Sequence, residues 1–306
     1  MKELSKMIKN DKIKDKLLVN FNKALEEDEF KTFVELLGLT YEELSKYTSI
    51  LQDSKVEYYN CQKCKSILEC KNKVTGYAYL PEVKDKNITF CYKKCRYKID
   101  LDKKNKYLDN VYTFDVPEDI RYADIKDIYK TDKNRHKVIK YIGIFIKEYQ
   151  KDKKQKGLYL HGNFGCGKTY LVSAMLNELA KKDINSVIIH WPEYLRILKS
   201  SFGYKDKSEF KESYERVKEA SILLIDDIGA ENVTPWSRDE ILCSILQYRM
   251  EEHLPTFFTS NLDLNALESH LANSTTGSSE IKARRIIERI KQMTVTEEMI
   301  SKNLRN

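Results

Sequence analysis

Apolar positions in the first part of the chain recur at helical spacing. Phe30, Phe33, Val34 and Leu37 form one stripe, and Tyr41, Leu44, Tyr47 and Leu51 form a second. Thr40 followed by Glu43 fits a capping box at the start of the second helix. Residues 1 to about 55 are therefore expected to be helical, with the two stripes packed as a small core. The alternative is that part of this face docks a partner protein. From 56 to 100 the helical period fades, and Cys, Lys and Tyr dominate. Residues 101 to about 130 are charged, with a single Pro, and 106–130 reads as a linker with a few ordered aromatic residues. A helix through Val138, Ile139, Ile142, Ile144 and Ile146 follows, and the Lys-rich stretch 151–156 ends it.

Beyond Gly157 the period itself alternates. Short apolar runs at 158–161, 187–191, 222–225 and 256–259 read as strands. Longer helical patterns at 168–182, 192–200, 208–220 and 237–252 lie between them. Two more helical pieces lead to an edge strand at 294–297. Apolar strands separated by helices predict a parallel sheet covered on both faces, the α/β class. The chain thus divides into a small N-terminal domain (1–105), a linker (106–130) and a larger α/β domain (131–306).

Composition narrows this picture only a little. The 306 residues carry 54 Lys and Arg against 47 Asp and Glu, a net charge of +7. That excess permits contact with nucleic acid without demanding it, and a Lys-rich solvated surface accounts for it equally. No apolar run approaches the ~18 residues of a membrane span. Residues 1–20 mix Lys and Asp around short apolar pieces, with no signal-peptide core. The expected location is the cytoplasm, away from membranes. Seven cysteines in that compartment point to free thiols or metal ligation.

The chemistry begins at Gly162-Asn163-Phe164-Gly165-Cys166-Gly167-Lys168-Thr169, which matches G-x-x-x-x-G-K-[ST] between a predicted strand and a predicted helix. Glycines allow the tight turn whose N–H groups face phosphate, and the helix N-terminus adds its dipole. Lys168 is expected to reach the β- and γ-phosphates of ATP, and the Thr169 hydroxyl to bind Mg²⁺. Cys166 contributes backbone alone. The apolar strand 222–225 delivers Asp226 and Asp227 to the sheet edge beside this loop. Asp226 is the Mg²⁺ partner, and Asp227 stands where a base orients the attacking water. The strand 256–259 ends at Ser260-Asn261, whose Asn261 amide suits the γ-phosphate or that water. Arg284, Arg285 and Arg289 on one later helix are a solvated face or a positive group for a neighbouring subunit. Arg249 is structural or faces a neighbour.

These motifs, in this order, resemble the AAA+ ATPases, and within them the DnaC/IstB-like branch that includes bacterial helicase loaders. Asp226-Asp227-Ile228-Gly229-Ala230-Glu231, Thr259-Ser260-Asn261 and Arg285-x-x-x-Arg289 carry the resemblance. It implies a sensor role for Asn261, and makes Arg285 the arginine finger, with Arg289 the other candidate. Asp at 227, where vigorous motors carry Glu, fits a switch-like ATPase.

Five cysteines fall between 61 and 95. Cys61-Gln62-Lys63-Cys64 is a knuckle of the kind that folds around zinc. With Cys91 and Cys95 it makes a C-x2-C…C-x3-C set, and Cys70 is the alternative fourth ligand. Metal binding would supply folding free energy to so small a segment. A helical, zinc-binding domain ahead of this ATPase resembles the primosomal helicase loaders of Gram-positive bacteria. The match runs through Cys61, Cys64, Cys70-Lys71-Asn72, Gly76-Tyr77 and Cys95. A His can follow Gly-Tyr in such proteins, but Ala78 stands here and no His precedes residue 136. Cys91 or Cys70 must then substitute, and Cys91 is favoured because it can share a turn with Cys95.

The resemblance implies ATP-dependent loading of the replicative DNA helicase during initiation or restart of replication. The N-terminal domain would grip the helicase. The ATPase domains would self-associate and contact single-stranded DNA. A transposition helper ATPase of the IstB type is the alternative. A DnaA-like initiator would need a duplex-reading domain after Thr294, where only 12 residues follow.

Overall fold

The computed structural model describes residues 14–85, 87–201, 208–274 and 277–304. Of the stretch read against a signal peptide, residues 1–13 lie outside the described part. The chain divides into two units, Met1–Lys106 and Tyr107–Asn306.

The first unit opens with helices α1 (14–24), α2 (Asp28–Glu35), α3 (Tyr41–Ser45) and α4 (Thr48–Lys63). Phe21, Phe30, Phe33, Val34, Leu44 and Leu51 are buried together, so the two stripes form a core. The expected capping box is present: Thr40 Oγ1 accepts from Glu43 N at 3.4 Å, and Thr40 N donates to Glu43 Oε2 at 2.9 Å. Helix α4 outlasts the apolar period because tertiary contacts support it. Buried Glu57 accepts from Tyr79 N at 2.6 Å, fastening α4 to a hairpin. That hairpin pairs β1 (Tyr77–Lys84) antiparallel with β2 (Asn87–Lys94), with Leu80 opposite Cys91. Helix α5 (Arg96–Lys104) follows, its N-terminus capped by Cys95 Sγ, which accepts from Lys98 N at 3.4 Å.

The second unit begins earlier than the charge pattern suggests. Strand β3 (Val111–Phe114) lies inside the segment read as a linker and pairs parallel with β5 (Ser186–His190), Val111 opposite Ser186. Short helix α6 (Glu118–Arg121) and helix α7 (His136–Glu148) follow β3. Then β4 (Gly157–His161) leads to α8 (Lys168–Ala180), and β5 leads to α9 (Trp191–Ser201) and α10 (Ser208–Glu219). Trp191, expected to close a strand, instead opens α9 and is buried against it. Strand β6 (Leu223–Asp226) is followed by a π-helical turn, Trp236–Leu242, that runs into α11 (Cys243–Glu251). After β7 (Thr256–Ser260) come α12 (Leu264–Ala272), the two-residue strands β8 (Asn273–Ser274) and β9 (Gly277–Ser278), α13 (Glu280–Met293) and β10 (Thr294–Glu298).

The main sheet has the order β10-β4-β7-β6-β5-β3, and every pairing is parallel. One buried layer packs α7 and α8 on the sheet, through Ile142, Phe145, Leu171 and Met175 among others. The opposite layer packs α9, α11, α12 and α13, through Leu198, Ile245, Leu267 and Ile286. Burial on both faces is why β4, β6 and β7 read as unbroken apolar runs. Parallel order also sends the C-terminal ends of β4, β5, β6 and β7 to one edge, where ligands of open α/β sheets bind.

Candidate functional site

Loop 162–167 leaves β4 at that edge and enters α8. Gly167 sits at φ +86° as the helix N-cap, a left-handed conformation that suits glycine. Lys168 turns back over the loop: its Nζ donates to Gly162 O at 3.0 Å, Asn163 O at 2.9 Å and Asn261 Oδ1 at 2.9 Å. Asn261, just past β7, donates from Nδ2 to Asp227 Oδ1 at 3.1 Å. Asp227 is held at φ +57°. Its N–H donates to Thr259 Oγ1 at 3.1 Å, which helps fix a backbone that a non-glycine residue adopts at a cost.

A second network meets the first at Asp226. Asp226 Oδ1 accepts from Thr169 Oγ1 and from Thr259 Oγ1, both at 2.5 Å. Its other oxygen lies 3.5 Å from His190 Nδ1. The hydrogen bond to Asp226 raises the His190 pKa above its ordinary value, against the opposing effect of partial burial. The sheet therefore brings together Lys168, Thr169, Asp226, Asp227 and Asn261, all singled out from sequence. The carboxylate and hydroxyl oxygens on one side suit a hard divalent cation. The lysine and loop N–H groups on the other suit phosphate. Cys166 Sγ is turned away to Asn163 O at 3.0 Å, and the Phe164 side chain is 72% exposed.

The arginines separate by environment. Arg249 is wholly buried and donates to Thr256 Oγ1, Pro255 O, Ala220 O, Lys218 O and Val217 O. It ties the end of α10 and the entry to β7 onto α11, which settles its structural role. Arg289 donates to Cys243 Sγ at 2.7 Å, and Arg284 to Glu268 at 3.4 Å. Arg285 is exposed and makes no hydrogen bond or ion pair among the described residues.

The profile of the bacterial DnaA ATPase domain matches residues 134–277. Over 248 residues the chain is 36% identical to the replicative helicase loader DnaI of Bacillus subtilis (strain 168), covering 81% of this chain and 78% of that one. The chain belongs to the DnaI family. A crystal structure of DnaI superposes with a TM-score of 0.57 at 40% identity, over 65% of this chain and 100% of that one. The crystal structure of the DnaC helicase loader shares the fold, with a TM-score of 0.50 at 22% identity, over 61% of this chain and 100% of the other. The second unit is therefore an AAA+ ATPase-family domain, and that membership implies a nucleotide and Mg²⁺.

The DnaI-family chain departs from the sequence reading at its cysteines. Cys91, placed among the metal ligands, lies on β2 with its Sγ 3.9 Å from Glu82 Oε2. Cys95 lies beyond the strand at the α5 N-cap, so the two do not share a turn. Cys61, Cys64, Cys70 and Cys95 line one pocket, and Cys91 is not in its lining. Burial raises the Cys61 pKa, against a hydrogen bond from Asn72, with smaller contributions from Cys95, Cys70 and Cys64. Asn72 Nδ2 donates to Cys61 Sγ at 3.3 Å and Gly76 N to Cys70 Sγ at 3.3 Å. Such N–H donors suit sulfur that carries negative charge. Among the described residues, however, no three His, Cys, Asp or Glu side chains stand close enough to hold a metal ion.

Sequence reasoning missed two site neighbours, His190 and Arg135, and gave Glu231, quoted within its motif, no role. His190 reaches Asp226 through the β5–β6 register, and its only sequence signal is a polar residue at the end of an apolar strand. Buried Glu231 accepts from Gly229 N at 2.7 Å and braces the turn after Asp227. Arg135 reaches the loop from well upstream.

Proposed function

We propose that this chain is an ATP-dependent loader of the replicative DNA helicase. The observation that carries the reading is the extent of the DnaI match: 248 residues exceed the Tyr107–Asn306 unit, so the likeness continues into the N-terminal unit. An ATPase likeness alone would suit a transposition helper equally well. ATP binds with its phosphates on residues 162–169. Lys168 exchanges Gly162 O and Asn163 O for phosphate oxygens, and Thr169 and Asp226 hold Mg²⁺, which neutralises phosphate charge. Asp227 orients the attacking water, and Asn261, already joined to both Lys168 and Asp227, reports the γ-phosphate. Arg285, without a partner among the described residues of its own chain, reaches a neighbouring subunit's nucleotide, which makes hydrolysis depend on self-association. Single-stranded DNA is the polymer that the assembled ATPase units contact, and the first unit grips the helicase.

Zinc belongs to this reading as a structural ion. Cys61, Cys64, Cys70 and Cys95 line one pocket without standing at ligation distance, and they would have to draw together to hold it as the four thiolates of a closed tetrahedral site. The test of the loader reading is a pull-down of the full chain with the host's replicative helicase, with and without ATP. Capture of the helicase is expected. No capture in either condition sinks the proposal.

A further inference from the structure

The second unit contains a buried cation that the reading above leaves unused. Arg135 is 1% exposed and forms no ion pair among the described residues. Its Nη1 donates to Cys166 O at 2.7 Å, and its Nε is buried without a partner. A guanidinium without a carboxylate is costly to bury. What this one grips is the back of the phosphate loop.

The C-terminal tail grips the same loop. Met299 N donates to His161 O at 2.7 Å, and Leu304 N donates to Gly165 O at 2.8 Å. Between them, Asn163 and Ser301 form a reciprocal pair, Asn163 Nδ2 to Ser301 O at 2.6 Å and Ser301 N to Asn163 Oδ1 at 3.1 Å. Asn303 lies so close over Gly165 that a Cβ there would meet its Oδ1 at 2.0 Å. The tail is tied in turn to the segment carrying Arg135. Ser301 Oγ donates to Asp132 Oδ2 at 2.5 Å, and Asn134 Nδ2 donates to Ile300 O at 2.9 Å. Tyr129 adds an aromatic post, with Lys302 Nζ 4.4 Å and Arg135 Cζ 5.9 Å from its ring centroid.

We infer that Arg135 and tail residues 301–304 are positioning elements of the nucleotide site, an outer brace that keeps the loop's N–H groups facing the phosphates. This rests on the nucleotide reading of that loop. In a trans peptide the C=O and the next residue's N–H point in opposite directions. Leu304 draws Gly165 O outward, which turns the Cys166 N–H inward. Arg135 draws Cys166 O outward, which turns the Gly167 N–H inward. Gly165 and Gly167 sit at φ +70° and +86°, and glycine without such restraint samples many other conformations. The brace removes that freedom before nucleotide arrives, which is preorganisation.

The experiment titrates full-length protein with a fluorescent ATP analogue in Mg²⁺, and records thermal unfolding with and without it. The variants are R135A, R135K, a chain ending after Ser301, and R135A combined with that truncation. R135A and the truncation are each expected to weaken binding about tenfold, the scale of one charge-assisted hydrogen bond. R135K keeps one donor and recovers part of the loss. The combined variant loses less than the product of the two, because both brace the same loop. The nucleotide-induced rise in melting temperature shrinks in parallel, which a merely structural loss would not produce. Binding by the truncated chain and R135K within twofold of wild type overturns the inference, as does tighter binding by the truncated chain. Should R135A not fold, R135K and the truncation decide. Failure of the wild type to bind, or K168A binding as well as wild type, would instead overturn the nucleotide reading.

Discussion

Lys168 Nζ donates to Asn261 Oδ1 at 2.9 Å, so the phosphate loop is joined to the tip of β7. The same amide donates to Asp227, making Asn261 the link between the lysine and the second carboxylate. Replacing Asn261 with Ala is expected to leave nucleotide binding within about threefold while lowering hydrolysis about 100-fold, the scale of losing one polar group in the transition state. Equilibrium titration and steady-state phosphate release measure the two separately. An equal loss in both would mean that Asn261 serves binding alone.

Arg285 and Arg289 share a helix and differ in their partners. R285A should preserve folding and ATP affinity while reducing hydrolysis about 1,000-fold at concentrations where the protein assembles. R289A breaks the contact with Cys243 and should lower stability by about 1 kcal/mol. ATPase rate against protein concentration, with melting curves, distinguishes them. Full activity in R285A assigns the trans role elsewhere.

Arg249 is a clamp rather than a surface group. Truncating it to Ala removes the donors for four buried or half-buried carbonyls and the Thr256 hydroxyl. The expected loss is about 3 kcal/mol or more. R249K should recover little, since a single ammonium cannot span those acceptors. Urea unfolding measures both.

Acid should weaken one joint in particular. Asp239 accepts from Arg238 Nε at 2.6 Å and from Lys282 Nζ at 2.6 Å, joining the π-helical turn to α13. The hydrogen bond from Arg238 is the main cause holding its pKa below the ordinary carboxylate value, against burial. A depressed folded-state pKa contributes stability above the unfolded value, and that stability is lost as pH falls through the folded one. Wild type should therefore lead D239N in urea midpoint at neutral pH, and the lead should shrink below about pH 4. A constant lead from pH 6 to 3 would refute the assignment.

The two disputed cysteines give opposite predictions for metal content. On the proposed zinc reading, C70S should abolish zinc bound by the purified chain, and C91S should leave it intact. Elemental analysis after gel filtration decides. Loss in C91S with retention in C70S would restore the sequence-based ligand set.

What could be read from sequence follows from how local each signal is. The phosphate loop, the strand ending at Asp226 and the capping box at Thr40 are complete within a few residues. Buried parallel strands declare themselves as apolar runs. The pattern hides β3, where four residues lie among charges and one face of an edge strand stays open, with Tyr112 41% exposed. Separating Cys91 from the pocket lined by the other four cysteines of the cluster needs the hairpin register, which sets Cys91 opposite Leu80. His190 and Arg135 act through partners 36 and 31 residues away in sequence, beyond any motif.

Strand β3 also bears on how the protein can be cut. Trimming at residue 131, where the charged segment ends, would remove the strand that covers β5 from Ser186 to Ile189. The bared edge would present unpaired backbone groups to any extended chain in solution, inviting aggregation. An ATPase fragment meant to stay monomeric and well behaved should start at or before Tyr107.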